Sequence, residues 1–487
     1  MDLKANIREI PYINKIKKIA CLSGVEVYLI GGFLRDVILR GKPEKLDFDF
    51  ALKTKIMKFA KDFSKSINGR IVVLDRVLRN VRVVLKKNKQ ILNYDFSEFR
   101  AENLLEDAKK RDFTINTLAA KINNLPKVEI IDYLGARKDL KRKILRAPSD
   151  SCITDDPLRI MRAFSLSALF GLGLDKKTKT SIKKHASLLS GVAGERISEE
   201  LFKIFSVSNS HKTLAFMDKF GVLEKIFPEI KPMRNLGQGK YHHLDVWRHS
   251  LETLRCFERL VNKKLATNSR IRSYLDEEVA QKRTRAQLIK FACLFHDVGK
   301  PKARRRKKKK TLFHSHEKIG RDMTERISKR LRLSLKEEEF IKHLIYLHLR
   351  PGYLADIKRP TQRAIYRYFR DTKDEAVGVL LLSLSDWRAT RGPLTNLRRR
   401  RKHEKVMFSL INEYFQREEK IPPRKLATGY DIMRKFNIPP SPLVGAILRK
   451  IDEFQALGKV ATKKQALSLA AKVYLSKQMA EKENKQS

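Results

Sequence analysis

The chain has 487 residues, which at roughly 100 to 200 per domain makes about three or four domains. Its 106 Lys and Arg against 55 Asp and Glu leave a formal net charge of +51, far more than solubility requires, and such a surface calls for a polyanionic partner, nucleic acid first. No apolar run approaches the roughly 18 residues of a membrane span, and no signal-peptide or lipidation pattern occurs, so no membrane partner is expected and the chain reads as soluble and cytoplasmic. Cys21, Cys152, Cys256 and Cys293 are too scattered for a metal site or a disulfide framework and are expected to be buried free thiols.

Residues 25 to 100 read as mixed α/β. VEVYLI (25–30), LDFDFAL (46–52), RIVVLD (70–75), NVRVVLKK (80–87) and QILNYDF (90–96) are short apolar or alternating runs rich in β-branched residues, and each predicts a strand. From about residue 155 the apolar residues recur at helical spacing, as in DPLRIMRAFSLSALF, ISEELFKIFSV and HKTLAFMDKFGVLEKIF. FPEIKPM and NLGQGKYHH mark a boundary near 230, and a second helical block follows to about 390. LRRRRK (397–402) and the prolines of KIPPRKL (420–426) introduce a last helical block, while MAEKENKQS is expected to be a disordered end. The basic run KARRRKKKK (302–310) predicts a solvated loop.

One of these strands carries unusual charge. Residues two apart in a strand share a face, so Asp47 and Asp49 would present both carboxylates together while Phe48 and Phe50 pack behind them. Like charges side by side need cations. Mg²⁺ takes carboxylates together with substrate phosphates, and a two-metal site can activate one oxygen while stabilising the leaving one. Gly31 and Gly32 precede the helix-like FLRDVILR (33–40), where bare backbone N–H groups can cradle a triphosphate and Arg35 can add positive charge.

This ordered combination resembles the nucleotidyltransferase head of the class II tRNA nucleotidyltransferases and bacterial poly(A) polymerases, which add nucleotides to an RNA 3′ end without a template strand. KRDFTINTLAA (110–120) is similar to the family's arginine-aspartate motif, DDPLRIMRAFSLSALFGLGLD (155–175) to its base-recognition helix, and GERISEELFKIF (194–205) to the motif that follows. YHHLDVWRHSLETL, ACLFHDVGKP and FHSHEKIG resemble the HD domain of a subset of these enzymes, and ATGYDIMRKFNIPPSPLVGAILRKIDE resembles the family's C-terminal domain. The chain departs from the pattern in having Asp95 and Asp155 where Glu is usual, Lys110 for Arg and Thr117 for Ala; none of these removes a group the chemistry needs.

The resemblance implies Asp95 on a neighbouring strand as the third catalytic carboxylate, and Arg111 and Arg162 beside the nucleotide. The residues support this chemistry in their own right. Two Mg²⁺ on Asp47 and Asp49, with Asp95 helping to activate the RNA 3′ hydroxyl and Arg35 and Arg111 stabilising pyrophosphate, would drive an in-line attack on the α-phosphate. Asp156 and Arg159, three apart, are expected on one helix face as an acceptor beside donors. That pair suits cytosine and adenine, which each place an amino donor next to an unprotonated ring nitrogen, and rejects uracil and guanine.

The second helical block carries His249, the His296-Asp297 doublet and Asp386, with His316 and His348 as weaker candidates for a second ion. Imidazole and carboxylate ligands suit Ni²⁺, Mn²⁺ or Zn²⁺ and imply hydrolysis of a phosphate ester. The expected architecture is α+β: a small mixed-sheet head (1–145) followed by all-helical neck (146–235), HD (236–390) and tail (391–487) domains. The expected activity is addition of CCA or part of it to the tRNA 3′ end from CTP and ATP, with an accessory phosphohydrolase and no protein partner evident. The alternatives are a poly(A) polymerase, or an HD phosphohydrolase or RNA-binding protein with a non-catalytic head.

Overall fold

A computed structural model describes residues 3–41, 47–75, 80–87, 90–280, 282–307, 310–357, 360–418 and 424–486. The chain divides into two compact units, Met1–Pro228 and Glu229–Ser487. The architecture is α+β, with a mixed sheet in the first unit and helices dominating the second.

The sheet has seven strands: β1 (Val27–Ile30), β2 (Asp47–Leu52), β3 (Arg70–Asp75), β4 (Asn80–Lys87), β5 (Gln90–Glu98), β6 (Ala119–Lys121) and β7 (Ile130–Ile131). The five runs read as strands are β1 to β5; the short β6 and β7 carry too few residues to show a period. Their order is β3-β4-β5-β2-β1-β6-β7, and β2 with β5 is the parallel pair, in the register Asp47 to Asn93, Asp49 to Asp95. Behind the acidic face, Phe48, Phe50, Tyr94 and Phe96 are at most 1 % exposed. Phe63, from helix Ile56–Ile67, meets the Tyr94 and Phe96 rings edge-on at 5.0 and 5.6 Å. Each such buried aromatic ring contributes about 1.5 to 3 kcal/mol, so the strand that carries the charge is anchored by its alternate residues.

Helix Arg159–Phe170 packs on Gly194–Ser206, where Ser165 Oγ donates to the buried Glu200 carboxylate. The expected placement of Asp156 and Arg159 on one helix face is corrected here. A short helix, Cys152–Asp155, ends before Asp156, which is extended at φ −147°, ψ 98°, and the next helix begins at Arg159. Pro157 is the cause, because the residue before a proline is driven from the helical region.

In the second unit, helices Val246–Arg259, Arg285–Phe295, Leu335–Leu347 and Ala376–Ala389 pack together, and Leu397–Glu418, which begins with the LRRRRK run, lies against Ala376–Ala389. Three further expectations change. The basic run forms a two-stranded ribbon, Arg305–Lys307 with Lys310–Leu312, and not a loop; its first strand is fully solvated, and Lys308 and Lys309 lie outside the described residues. The expected disordered end is instead the last turns of helix Lys463–Gln486, a stretch of Ala, Glu, Lys and Gln without a helix breaker. Cys21 is exposed, on the outer side of helix Ile13–Ser23, whose buried face is Ile13, Ile16 and Ala20; the other three free thiols are buried. Of KIPPRKL, residues 420–423 lie outside the described residues.

Candidate active site and candidate metal centre

All ten residues singled out for the nucleotide site line one cleft of about 730 Å³ in the first unit: Gly31, Gly32, Arg35, Asp47, Asp49, Asp95, Arg111, Asp156, Arg159 and Arg162. β1 delivers the chain to Gly31, whose φ of +80° is a left-handed conformation that only glycine adopts without strain, and helix Gly32–Arg40 starts from it. A Cβ at Gly31 would sit 3.2 Å from Asp49 Oδ2, so the bare backbone is also what lets the turn approach the carboxylates.

Asp47 Oδ1 accepts from Asn93 Nδ2 at 2.6 Å, and Asp95 is held at both oxygens by Arg82, Nε and Nη2 each at 2.7 Å. Burial, then the charge of Asp95, push the Asp49 carboxyl up to about 6. Oxygen ligands crowded in this way, with one carboxyl resisting ionisation, fit a hard divalent cation. Arg35 donates to Asn116 Oδ1 at 2.7 Å and to Asp36 Oδ1 at 2.8 Å, and lies over the Phe170 ring at 4.2 Å. Arg111 is braced by the fully buried Asp107, at 2.8 and 2.5 Å.

The base-reading pair is not together. Arg159 is 6 % exposed, and its guanidinium donates to the backbone carbonyls of Lys110, Arg111 and Cys152 at 2.8 to 3.2 Å. Asp156 instead accepts from Arg196 Nη2 at 2.9 Å and from the Leu158 backbone N–H at 3.2 Å. Arg162 forks onto Asp112 at 3.1 and 2.6 Å, and Glu200 is 3.9 Å from it. Although burial opposes it, Arg162 and Asn116 hold the Asp112 carboxyl well below the usual range.

Sequence reasoning missed Asp112, Arg196 and Glu200 as members of this cleft, and Arg82 as the partner of Asp95 behind it. Arg82 had a signal: counting back along the β4-β5 hairpin from Lys87 opposite Gln90 sets it opposite Asp95. Asp112 and Arg196 stood inside quoted motifs, but nothing local says which residue each would meet.

In the second unit, helices Val246–Arg259, Arg285–Phe295, His316–Arg330, Leu335–Leu347 and Ala376–Ala389 bring the predicted ligands together, with His296 and His348 each just past the end of its helix. Among the described residues, three ligating atoms converge within 4.8 Å of one another in two sets, His249 with His296 and Asp386, and Asp297 with His316 and His348. Asp297 faces both. Its Oδ2 is 3.2 Å from His296 Nε2, and its Oδ1 is 3.3 Å from His316 Nε2 and 4.0 Å from His348 Nε2.

The ring Nδ1 atoms of His296, His316 and His348 lie 3.0, 2.8 and 2.6 Å from the backbone carbonyls of Cys293, Phe313 and Ile345. In those contacts Nδ1 is the donor, which turns Nε2 inward; although burial opposes it, Asp297 raises the His296 ring. The three Nε2 atoms and Asp297 Oδ1 are buried without hydrogen-bond partners, which fits ions bound by imidazole and carboxylate. Burial pushes His348 down to about 3, so its ring is neutral as a ligand must be. Lys300, Trp387 and His403 line the cavity beside these sets and were not singled out from the sequence; Lys300 Nζ donates to Asp297 Oδ2 at 2.7 Å.

Residues 27–146 match the poly A polymerase head domain, 171–234 the probable RNA- and SrmB-binding site of polymerase A, and 246–391 the HD domain. The chain is 28 % identical to the A-adding tRNA nucleotidyltransferase of Deinococcus radiodurans over 447 residues, which is 90 % of this chain and 93 % of that one. It is 26 % identical to the CC-adding tRNA nucleotidyltransferase of Thermus thermophilus, with 91 % and 92 % of the two chains covered. Its fold is that of the Thermotoga maritima CCA-adding enzyme, solved in complex with tRNA-CCA, with a TM-score of 0.62, 20 % identity and 98 % of each chain covered.

The raised Asp49 carboxyl predicts a pH dependence. A carboxyl whose folded value lies above its ordinary one adds stability at low pH, and that contribution is lost as pH rises through the folded value of about 6. In the absence of divalent ions, Asp49→Asn should therefore raise the thermal unfolding midpoint more at about pH 7.5 than at about pH 4.5. An equal gain at both values would mean that the Asp49 charge is already neutralised within the chain.

Proposed function

From a chain that belongs to the family of tRNA nucleotidyltransferases and poly(A) polymerases and carries an HD domain, we propose that it adds CCA, or part of it, to the 3′ end of tRNA from CTP and ATP without a template, releasing pyrophosphate, in the cytoplasm. The observation that carries this reading is the register of the acidic strands: Asp49 opposite Asp95 on parallel neighbours, Asp47 two residues away, and the Gly31 turn against Asp49. Asp47 and Asp49 would hold Mg²⁺, which when bound supplies charge stabilisation to the reacting phosphate.

The chain's own residues do the rest. Backbone N–H groups at the start of helix Gly32–Arg40 face the triphosphate, with Arg35 and Arg111 as its cations; Asn116 holds the first guanidinium in place and Asp107 the second. The RNA 3′ hydroxyl oxygen forms the new bond to the α-phosphorus as the bond to the β-phosphate oxygen breaks and pyrophosphate leaves. Asp95 accepts the hydroxyl proton, and its fork with Arg82 leaves a lone pair on each oxygen. Holding the reactants in line is where most of the acceleration arises. Asp156 is the acceptor for the amino group of cytosine or adenine. Arg196, on its other side, and Arg162 are donors within the same cleft. Arg159 clamps residues 110–111 and thereby positions Arg111.

We assign the head to 1–145, the base-recognition neck to 146–235, the HD domain to 236–390 and the tail to 391–487. In the HD domain His249, His296, Asp297 and Asp386, with His316 and His348, would hold Mn²⁺, Ni²⁺ or another divalent ion and support hydrolysis of a phosphate ester at an RNA end. The partnerless Nε2 atoms favour this second activity.

Incubation with tRNA lacking CCA and each labelled nucleoside triphosphate, followed by 3′-end sequencing, should show C, A or both added, and not a long run of A. Asp47→Asn and Asp49→Asn should each lower addition by about tenfold or more with tRNA affinity near normal; residual activity above that would sink the two-carboxylate assignment. Asp156→Ala should raise UTP and GTP incorporation relative to CTP and ATP by about tenfold, the worth of one charge-assisted hydrogen bond. Arg159→Ala should lower addition of all nucleotides without changing their ratio. If kcat/KM ratios in the Asp156 variant match wild type, that carboxylate reads no base. Separately, His296→Ala should abolish divalent-ion-stimulated phosphate release from RNA ends, and wild type that releases none with Ni²⁺, Mn²⁺ or Mg²⁺ would reduce the HD centre to structure.

A further inference from the structure

Helix Arg159–Phe170 meets the cleft at both of its ends, Arg159 and Arg162 from its first turn and Phe170 at its last residue. The Arg35 guanidinium lies over the Phe170 ring at 4.2 Å, and Arg40, from the same helix Gly32–Arg40, lies over it at 4.9 Å. Arg40 Nη2 also donates to the Leu169 carbonyl at 3.4 Å, so two arginines of one helix hold the last turn of the other. Arg35 is fixed at its edges by Asn116 and Asp36. A Cβ at Gly32 would stand 3.3 Å from Arg35 Nη2, so the guanidinium folds back against the start of its own helix.

What the ring does for Arg35 follows from its charge distribution. An aromatic face is negative and attracts a guanidinium, the more so where water is excluded, and Arg35 is only 9 % exposed. Unlike Asp36, the ring takes no N–H and cancels no charge; it sets the plane in which the guanidinium lies. That plane matters because the N–H groups of arginine form a rigid fork, which meets a phosphate well in few orientations. The fork and the bare N–H groups at the start of helix Gly32–Arg40 then make one anion seat. A leucine at position 170 would fill the same space without holding the charge.

We propose that Phe170 is a positioning residue for the triphosphate: its ring holds the Arg35 guanidinium in the plane in which it receives the phosphates beside the first N–H groups of helix Gly32–Arg40. The helix that carries Arg159 and Arg162 into the cleft is thereby tied, at its other end, to the phosphate seat. This rests on the reading of Arg35 as a cation for the triphosphate. Phe170 acts through Arg35 and not on the base or the phosphates.

Binding is measured on the full chain with Mg²⁺ and without tRNA, using CTP, ATP and inorganic triphosphate, which carries the phosphates but no base. Phe170 is only partly buried, and Phe170→Leu and Phe170→Met keep an apolar side chain without an aromatic face. Each should raise the dissociation constants about fivefold, by the same factor for inorganic triphosphate as for the nucleotides. Phe170→Tyr restores the face and should match wild type. In addition to tRNA lacking CCA, the Leu and Met variants should raise KM for the nucleotide and leave kcat within about twofold, the pattern of lost uniform binding. In an Arg35→Met background, Phe170→Leu should cause no further loss. A loss confined to CTP and ATP, an equal loss without Arg35, a Phe170→Tyr variant as weak as Phe170→Leu, or wild-type binding in both apolar variants overturns the assignment. Wild type that binds triphosphate yet adds nothing to tRNA would remove the proposed transferase function and leave the role of Phe170, while addition with undisturbed triphosphate binding in the variants does the reverse.

Discussion

The first unit depends on holding carboxylates closer together than their charges favour. Asp49 lies opposite Asp95 and two residues from Asp47, and burial together with the charge of Asp95 moves its carboxyl up to about 6. Such a site survives because the strand is fixed from behind. Phe48, Phe50, Tyr94 and Phe96 are fully buried on the opposite face, and their burial outweighs repulsion that the two-residue period alone could not resist. The glycine turn, the Arg82 fork on Asp95 and the Asn93 contact to Asp47 then fill the space that remains.

A chain of hydrogen bonds with one ion pair in it extends this arrangement into the helices. Arg162 grips Asp112, Asp112 accepts from Asn116, and Asn116 receives Arg35. Arg162, Asp112 and Arg35 are thereby each oriented by a neighbour of opposite or neutral character, the condition under which buried charges are tolerated. The net charge of +51 adds a long-range field that gathers any polyanion, but the specific work lies in these short contacts.

How much of this could be read in advance differs by residue. The strand alternation around Asp47 and Asp49, the glycine turn and the His-Asp doublet are local patterns, and each stands where its spacing implied. Asp156 was misplaced although the signal was present, since Pro157 forbids the helical conformation that an i to i+3 argument assumes. The roles of Arg159 and Arg82 depend on partners 48 and 13 residues away, and that of Phe170 on an arginine of another helix. The Arg82 pairing could be counted along two adjacent strands, but the others leave no trace in a single sequence, because long side chains reach whichever backbone or ring the tertiary fold supplies.

Asp297 gives one carboxylate to two ligand sets, an oxygen toward each. Its single negative charge cannot be fully available to both. Were cations bound at both sets, whichever settled first would weaken the other seat, and thermodynamic linkage would make that penalty the same in either order. The two seats would in this sense be negatively cooperative, each filled at the expense of the other.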